Sequence, residues 1–194
     1  MLLQAYRNAG LVLVAMLGVS GCVAPVVVGA TGATTAVKAS QERGLSGALS
    51  DVEIHARVND LWFRNDLDMF NRMNLTVDQG RVLLTGRAAN PDQRVLAVRL
   101  VWQVPDVKEV INEITIDNQS TLMDSASDTW IATQLRTVLV IDRKISSVNY
   151  SIDVVDGVVY LMGVAHSEAE AQQAISDAKS ISRVKRVVSY VKVI

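Results

Sequence analysis

The side chains that could do chemistry are few. Among 194 residues there is one cysteine, Cys22, and there are two histidines, His55 and His166. A nucleophile with its base, or a general acid–base pair, needs positioned groups of this kind. A lone thiol can neither close an internal disulfide nor build a cysteine-based zinc site. Asp60, Asp66 and Asp68 crowd one stretch, but without the spaced glycine and glutamate of a calcium loop they read as a solvated helix end. Gly80, Gly86, Gly157 and Gly163 do not form a phosphate-binding GxGxxG and read as backbone requirements. No catalytic set, metal site or cofactor is expected, so the protein reads as non-enzymatic. A formal net charge of −1 gives no basic field of the kind nucleic-acid binders carry, so no nucleic-acid partner is expected either.

The residues around Cys22 suggest what that thiol does. Met1 to Gly21 carries one cation at Arg7, an apolar run from Ala9 to Val19, then the small residues Ser20 and Gly21. That is the order of an export signal. Such a run rises roughly 16 Å as a helix against a hydrocarbon core of about 30 Å, too little to span it. Val19-Ser20-Gly21-Cys22 resembles the lipobox of bacterial lipoproteins. The resemblance implies lipidation of the Cys22 thiol, cleavage after Gly21 and acylation of the new amino terminus. Each buried methylene contributes about 0.8 kcal/mol, so two or more acyl chains anchor stably. Val23, where an aspartate would favour the inner membrane, resembles lipoproteins sorted to the outer membrane of Gram-negative bacteria, with the chain on its periplasmic face. Residues 22–50, rich in Ala, Gly, Thr, Val and Ser, are expected to form a flexible tether, with a random-coil reach of roughly 30 Å.

Beyond the tether the chain repeats itself at a constant offset of 77 residues. Ser50-Asp51 recurs as Ser127-Asp128; Ile54, Val58 and Leu61 as Ile131, Leu135 and Val138; Gly80 and Gly86 as Gly157 and Gly163; Val107, Lys108 and Val110 as Val184, Lys185 and Val187. A fixed period over this length marks a duplicated unit. The units are 51–118 and 128–194, joined by the polar stretch Gln119 to Ser127. Each is small for independent stability, so the two are expected to pack together.

Within a unit, Ser50 or Ser127 is expected to cap an amphipathic helix whose apolar positions fall at i, i+4 and i+7. In the first unit Ser50 and Glu53 have capping-box spacing. Two strands follow, around the turns Asp78-Gln79-Gly80 and Val155-Asp156-Gly157, with glycine where positive φ is needed. Asn90-Pro91 and Ser167-Glu168 start a second helix. The unit closes on a strand, Val110 to Ile116 or Val187 to Val193. The expected fold is α+β: two tandem αββαβ units, each a small three-stranded mixed sheet packed by two helices.

This order, the paired hairpin glycines and the Gly-Val-x-x-Val-like endings at 105–110 and 182–187 resemble the BON domain of bacterial envelope and osmotically induced proteins. Repeat 1 departs in having Pro105-Asp106 where that ending carries its glycine. A lipobox followed by two such units resembles the dual-BON outer-membrane lipoproteins over essentially the whole mature chain. That resemblance implies binding of anionic phospholipid, recruitment to division sites and support of outer-membrane integrity.

What the repeats do not share is more informative, because a common fold cannot explain it. Residues 51–118 hold eight basic and eleven acidic side chains, net −3, whereas 128–194 hold eight and seven, net +1. An anionic surface is therefore expected to meet the second unit. Where the first unit has Glu53, the second has Trp130, roughly 110° from the centre of the buried stripe at about 100° per residue. Tryptophan partitions well into the headgroup zone. The expected phospholipid site is Trp130 with Thr133, Gln134 and Thr137, with Arg136, Arg143 or Lys144 supplying positive charge. Trp62 reads as core filling and Trp102 as a contact between the repeats. The alternative is a protein-interaction adaptor for an outer-membrane assembly machine or a peptidoglycan-associated complex, with lipid serving only as anchor.

Overall fold

The computed structural model describes residues 44–116 and 122–194. The signal, Cys22, the tether up to residue 43 and part of the Gln119–Ser127 connection lie outside the described residues. The first unit comprises α1 (Gly44–Asn65), α2 (Leu67–Arg72), β1 (Met73–Asp78), β2 (Arg81–Ala88), α3 (Pro91–Val101), β3 (Glu109–Asn112) and β4 (Thr115–Ile116). The second comprises α4 (Leu122–Ile141), a 3-10 turn (Ser147–Asn149), β5 (Tyr150–Val155), β6 (Val158–Ala165), α5 (Glu168–Ser180) and β7 (Arg186–Val193). The second keeps the expected αββαβ order, whereas the first adds α2. Asp66 starts that helix by accepting from the backbone N–H of Asp68 and Met69 at 2.9 and 3.2 Å. It is thus a cap rather than a merely solvated acid.

Each hairpin is antiparallel, and its inner strand, β2 or β6, pairs in parallel with the closing strand. A parallel return needs a crossover, which α3 and α5 supply. Asn90 and Ser167 cap these helices, accepting from Gln93 N at 2.8 Å and Glu170 N at 3.1 Å. The turn residues Gln79-Gly80 and Asp156-Gly157 all have positive φ, between 55° and 77°, the two-residue turn that matches strand twist. The closing strand expected from Val110 to Ile116 is broken at Glu113-Ile114 into β3 and β4. Asn112 accepts there from Ile114 N at 3.1 Å, and Ile114 turns into the core.

Expectations at the start of both units fail for one reason. Helix α1 begins at Gly44, so residues 44–50 are helical rather than tether and Ser50 lies inside the helix. Glu53 therefore caps nothing and instead pairs with Arg57 at 2.6 Å. Ser127 is likewise interior to α4. The recurring Ser-Asp has another physical basis. Asp51 is buried and accepts from Gln79 N at 3.0 Å and Gly80 N at 2.9 Å, and Asp128 accepts from Asp156 N and Gly157 N, both at 2.8 Å. One carboxylate per unit ties the first helix to the hairpin turn.

Helices cover one face of each sheet, and the two helix-free faces stack. Leu83, Val155, Tyr160 and Met162 form the buried seam, flanked by Ile111, Val158, Val188 and Tyr190. By the 77-residue offset Leu83 is equivalent to Tyr160 and Ile111 to Val188, so equivalent positions meet. Strand β1 touches β6 as β5 touches β2. Such reciprocity marks surfaces related by a two-fold axis, here a pseudo-axis within one chain. Polar contacts fasten the seam: Arg81 donates to the Tyr190 carbonyl at 3.0 Å, the Thr85 hydroxyl to Asp153, and Arg87 to Asp156.

Candidate membrane-facing site and inter-repeat cleft

Helix α4 positions Trp130, Thr133, Gln134, Arg136 and Thr137 of the expected phospholipid site, whereas Arg143 and Lys144 follow its end. Ile131, Leu135 and Leu139 are buried, with Asp128 one turn earlier on the same side; that face cannot rotate outward without unfastening the hairpin. Trp130 is therefore turned away from the core and is 39% exposed. It is not part of the seam. The guanidinium of Arg183 lies over its ring, 5.0 Å from the centroid, a cation–π arrangement. Gln134 and Thr137 are exposed at the next helical turns, followed by Ile141, which is 72% exposed. Spacings of four, seven and eleven from Trp130 align these residues on one stripe.

Thr133 and Arg136 sit one step around the helix. They line a cleft of about 410 Å³ between the units, opposite Arg72, Asn74 and Arg87 of the first unit. The sequence-derived group thus divides: Trp130, Gln134 and Thr137 face outward together, while Thr133 and Arg136 face the cleft. Threonine hydroxyls along α4 donate four residues back, Thr133 to the Thr129 carbonyl at 2.8 Å and Thr137 to that of Thr133 at 3.0 Å. Their donors are satisfied within the helix, leaving oxygen lone pairs outward. Asp153 lines the same cleft, where burial pushes its carboxyl above the usual range against the lowering effect of the Thr85 hydroxyl.

The other tryptophans divide as well. Trp62 is fully buried, its Nε1 donating to the Ala97 carbonyl at 3.4 Å. Trp102, expected at the seam, instead ends α3 and is 53% exposed. Sequence reasoning missed Arg183, whose signal was a charge inversion: its counterpart is Asp106. Both residues hold a left-handed φ, 71° and 65°, so both occupy the position where the closing motif carries glycine. Among the described residues no three potential metal ligands come together, and no helix is long and apolar enough to cross a membrane.

A BON domain model matches residues 50–118 and again 127–194, well over half of the sequence. The chain belongs to the BON-domain family. Each match begins within the first helix of a unit and takes in its last strand. Among relatives, this BON protein is 42% identical over 145 residues to an uncharacterised protein in the gshII 5′ region of Anaplasma centrale, covering 74% of this chain and 95% of that one. It is 28% identical over 193 residues to outer membrane lipoprotein DolP of Haemophilus influenzae, covering 99% and 98%. It is 26% identical over 146 residues to osmotically-inducible protein Y of Escherichia coli, covering 74% and 73%.

Proposed function

We propose that this protein is a non-enzymatic envelope lipoprotein, anchored through Cys22 to the periplasmic face of the outer membrane, whose second unit binds anionic phospholipid through α4. The full-length likeness to an outer membrane lipoprotein supports the location. The observation that carries the lipid reading is the exposed Trp130 ring with Arg183 above it, on a stripe that ends in Ile141. An indole at headgroup depth with a cation beside it can meet the interface and a lipid phosphate together. Arg143 and Lys144 are exposed beyond the end of α4, and each cation near an anionic surface contributes about 1 kcal/mol. Family resemblance extends the proposal to outer-membrane integrity, at division sites.

The test is flotation of the chain carrying Cys22→Ser, which cannot be acylated, with phosphatidylglycerol vesicles and with phosphatidylcholine vesicles. Binding to the anionic vesicles only, abolished by Trp130→Glu at unchanged thermal stability, is the expected result. Equal binding of the variant, or none by the parent, sinks the lipid reading.

One observation favours the adaptor alternative for the other unit. Phe63, Leu67 and Phe70 form an exposed apolar patch, the two rings edge-on at 5.5 Å. It lies on the unit of net charge −3, which an anionic bilayer repels, so a protein partner suits it better. Crosslinking in intact cells that depends on Phe63 while vesicle binding does not would separate the two roles.

A further inference from the structure

Three arginines line the cleft between the units: Arg72 and Arg87 from the first and Arg136 from the second. Their counterparts at the 77-residue offset are Asn149, Val164 and Asn59. The repeated fold therefore requires none of the three charges, and their meeting in one cleft calls for a reason of its own.

The two carboxylates in the same walls have structural duties. Asp128 holds the hairpin turn, as Asp51 does in the first unit. Asp153 takes the Thr85 hydroxyl across the seam, and burial disfavours its ionised form. Arg87 is fastened to Asp156, its Nε donating at 3.1 Å. Arg72 pairs with Asp68 at 3.4 Å along its own helix, its side chain 24% exposed. Arg136 makes no ion pair among the described residues. Asn74 adds an amide, and Thr129 and Thr133 border the opening on α4.

We propose that this cleft binds a phosphate-bearing anion, with the Arg136 and Arg72 guanidinium groups meeting it from opposite units. Guanidinium forks match the oxygens of a phosphate and hold them by charge-assisted bonds. A volume of about 410 Å³ accommodates a group the size of glycerol phosphate, and the polar walls suit a headgroup rather than an acyl chain. Because the ligand touches both units, its binding clamps the seam. The proposal does not require the Trp130 stripe to dock on a membrane. The phosphate has two possible sources, a phospholipid headgroup, which is a diester, or a free monoester or inorganic phosphate.

Calorimetric titration of the whole chain in non-ionic detergent micelles decides, using inorganic phosphate, glycerol 3-phosphate and glycerophosphoglycerol in turn. Saturable heat is expected with at least one probe. Response to the diester alone assigns a lipid headgroup, and response to the monoester or to phosphate assigns a free ligand. Arg136→Gln and Arg72→Gln are each expected to weaken binding about tenfold, while Arg136→Lys, which keeps the charge without the fork, falls between wild type and Arg136→Gln and Trp130→Glu leaves binding unchanged. No saturable heat with any probe at millimolar concentration, or binding indifferent to both glutamine substitutions, overturns the proposal. Loss of vesicle binding in Trp130→Glu with intact probe binding shows the two sites to be independent.

Discussion

Glu113 and Tyr190 occupy the same position of the two repeats, and they bond to each other, the Tyr190 hydroxyl donating to the Glu113 carboxylate. Contact between equivalent positions places the pseudo-two-fold axis close by, and the difference in residue type turns a like-with-like contact into a donor–acceptor pair. Hydrogen bonds to charged groups contribute about 1.5–3 kcal/mol. Tyr190→Phe and Glu113→Gln should therefore show a coupling of about 1.5 kcal/mol in a double-mutant cycle of urea unfolding. Burial first, then Glu113, holds the Tyr190 hydroxyl above the usual phenol range. The folded state keeps that proton more tightly than the unfolded chain, which releases it near pH 10 or so. This stabilisation is complete below about pH 10 and is lost as pH rises further. Alkaline melting curves should flatten in Tyr190→Phe; an unchanged alkaline limb would show that the pair carries no such linkage.

Asp128 should be a costly acid to remove from the second unit. Its two oxygens satisfy two backbone N–H groups at 2.8 Å, and the residue is 9% exposed. Asp128→Ala orphans both donors beneath a helix, for an expected loss of about 2–4 kcal/mol. Asp128→Asn keeps one acceptor and should lose about half of that. Denaturant midpoints with an unchanged slope measure both losses, and the same substitutions at Asp51 should behave alike, because the geometry is repeated.

Much of this architecture was written in local pattern. The hairpins, the caps of the second helices and the duplication depend on residues near one another in sequence, such as Asn90 with Gln93 or Asp156 with Gly157. The duty of Asp51 and Asp128 depends on partners 28 and 29 residues away, so a Ser-Asp pair at a helix start looked like a cap. The site shows the same divide. Helical angle alone set Trp130 outward, but the cation above it comes from the turn before β7. The assignment of Thr133 and Arg136 to a cleft depends on how two sheets stack, and no periodicity within α4 carries that information.

Arg183 should matter for lipid binding more than for folding. It is exposed and contributes a cation–π contact of about 0.5–1 kcal/mol at such a site. Its left-handed φ of 71° costs a side chain about 1–2 kcal/mol, so Arg183→Gly removes the contact and relieves the backbone together. Stability should stay level or rise, while affinity for phosphatidylglycerol vesicles falls roughly fivefold, for the loss of about 1 kcal/mol of charge attraction. Arg183→Lys should keep most of the affinity. Vesicle titrations at low and at physiological salt check both, and a glycine variant that binds as tightly as wild type removes Arg183 from the site.

Asp153 gives the seam a second pH dependence, at the acid end of the scale, again with burial as its leading cause. Burial is the largest influence on its carboxyl and raises it above the ordinary value of 3.8, the Thr85 hydroxyl and the Val154 N–H lower it, and Asp128 raises it again. A carboxyl that binds its proton more tightly when folded stabilises the fold most at acid pH, and this contribution fades as pH rises through the range above 3.8. Asp153→Asn is neutral throughout and its side-chain oxygen can still accept from Thr85. It should melt higher than wild type at pH 7, and the difference should close as pH falls below about 4, where the wild-type carboxyl is protonated in both states. Thermal melts of both proteins across that range measure the difference. A variant less stable than wild type at pH 7 would mean that the ionised carboxylate is held by the arginines of the cleft rather than penalised by its burial.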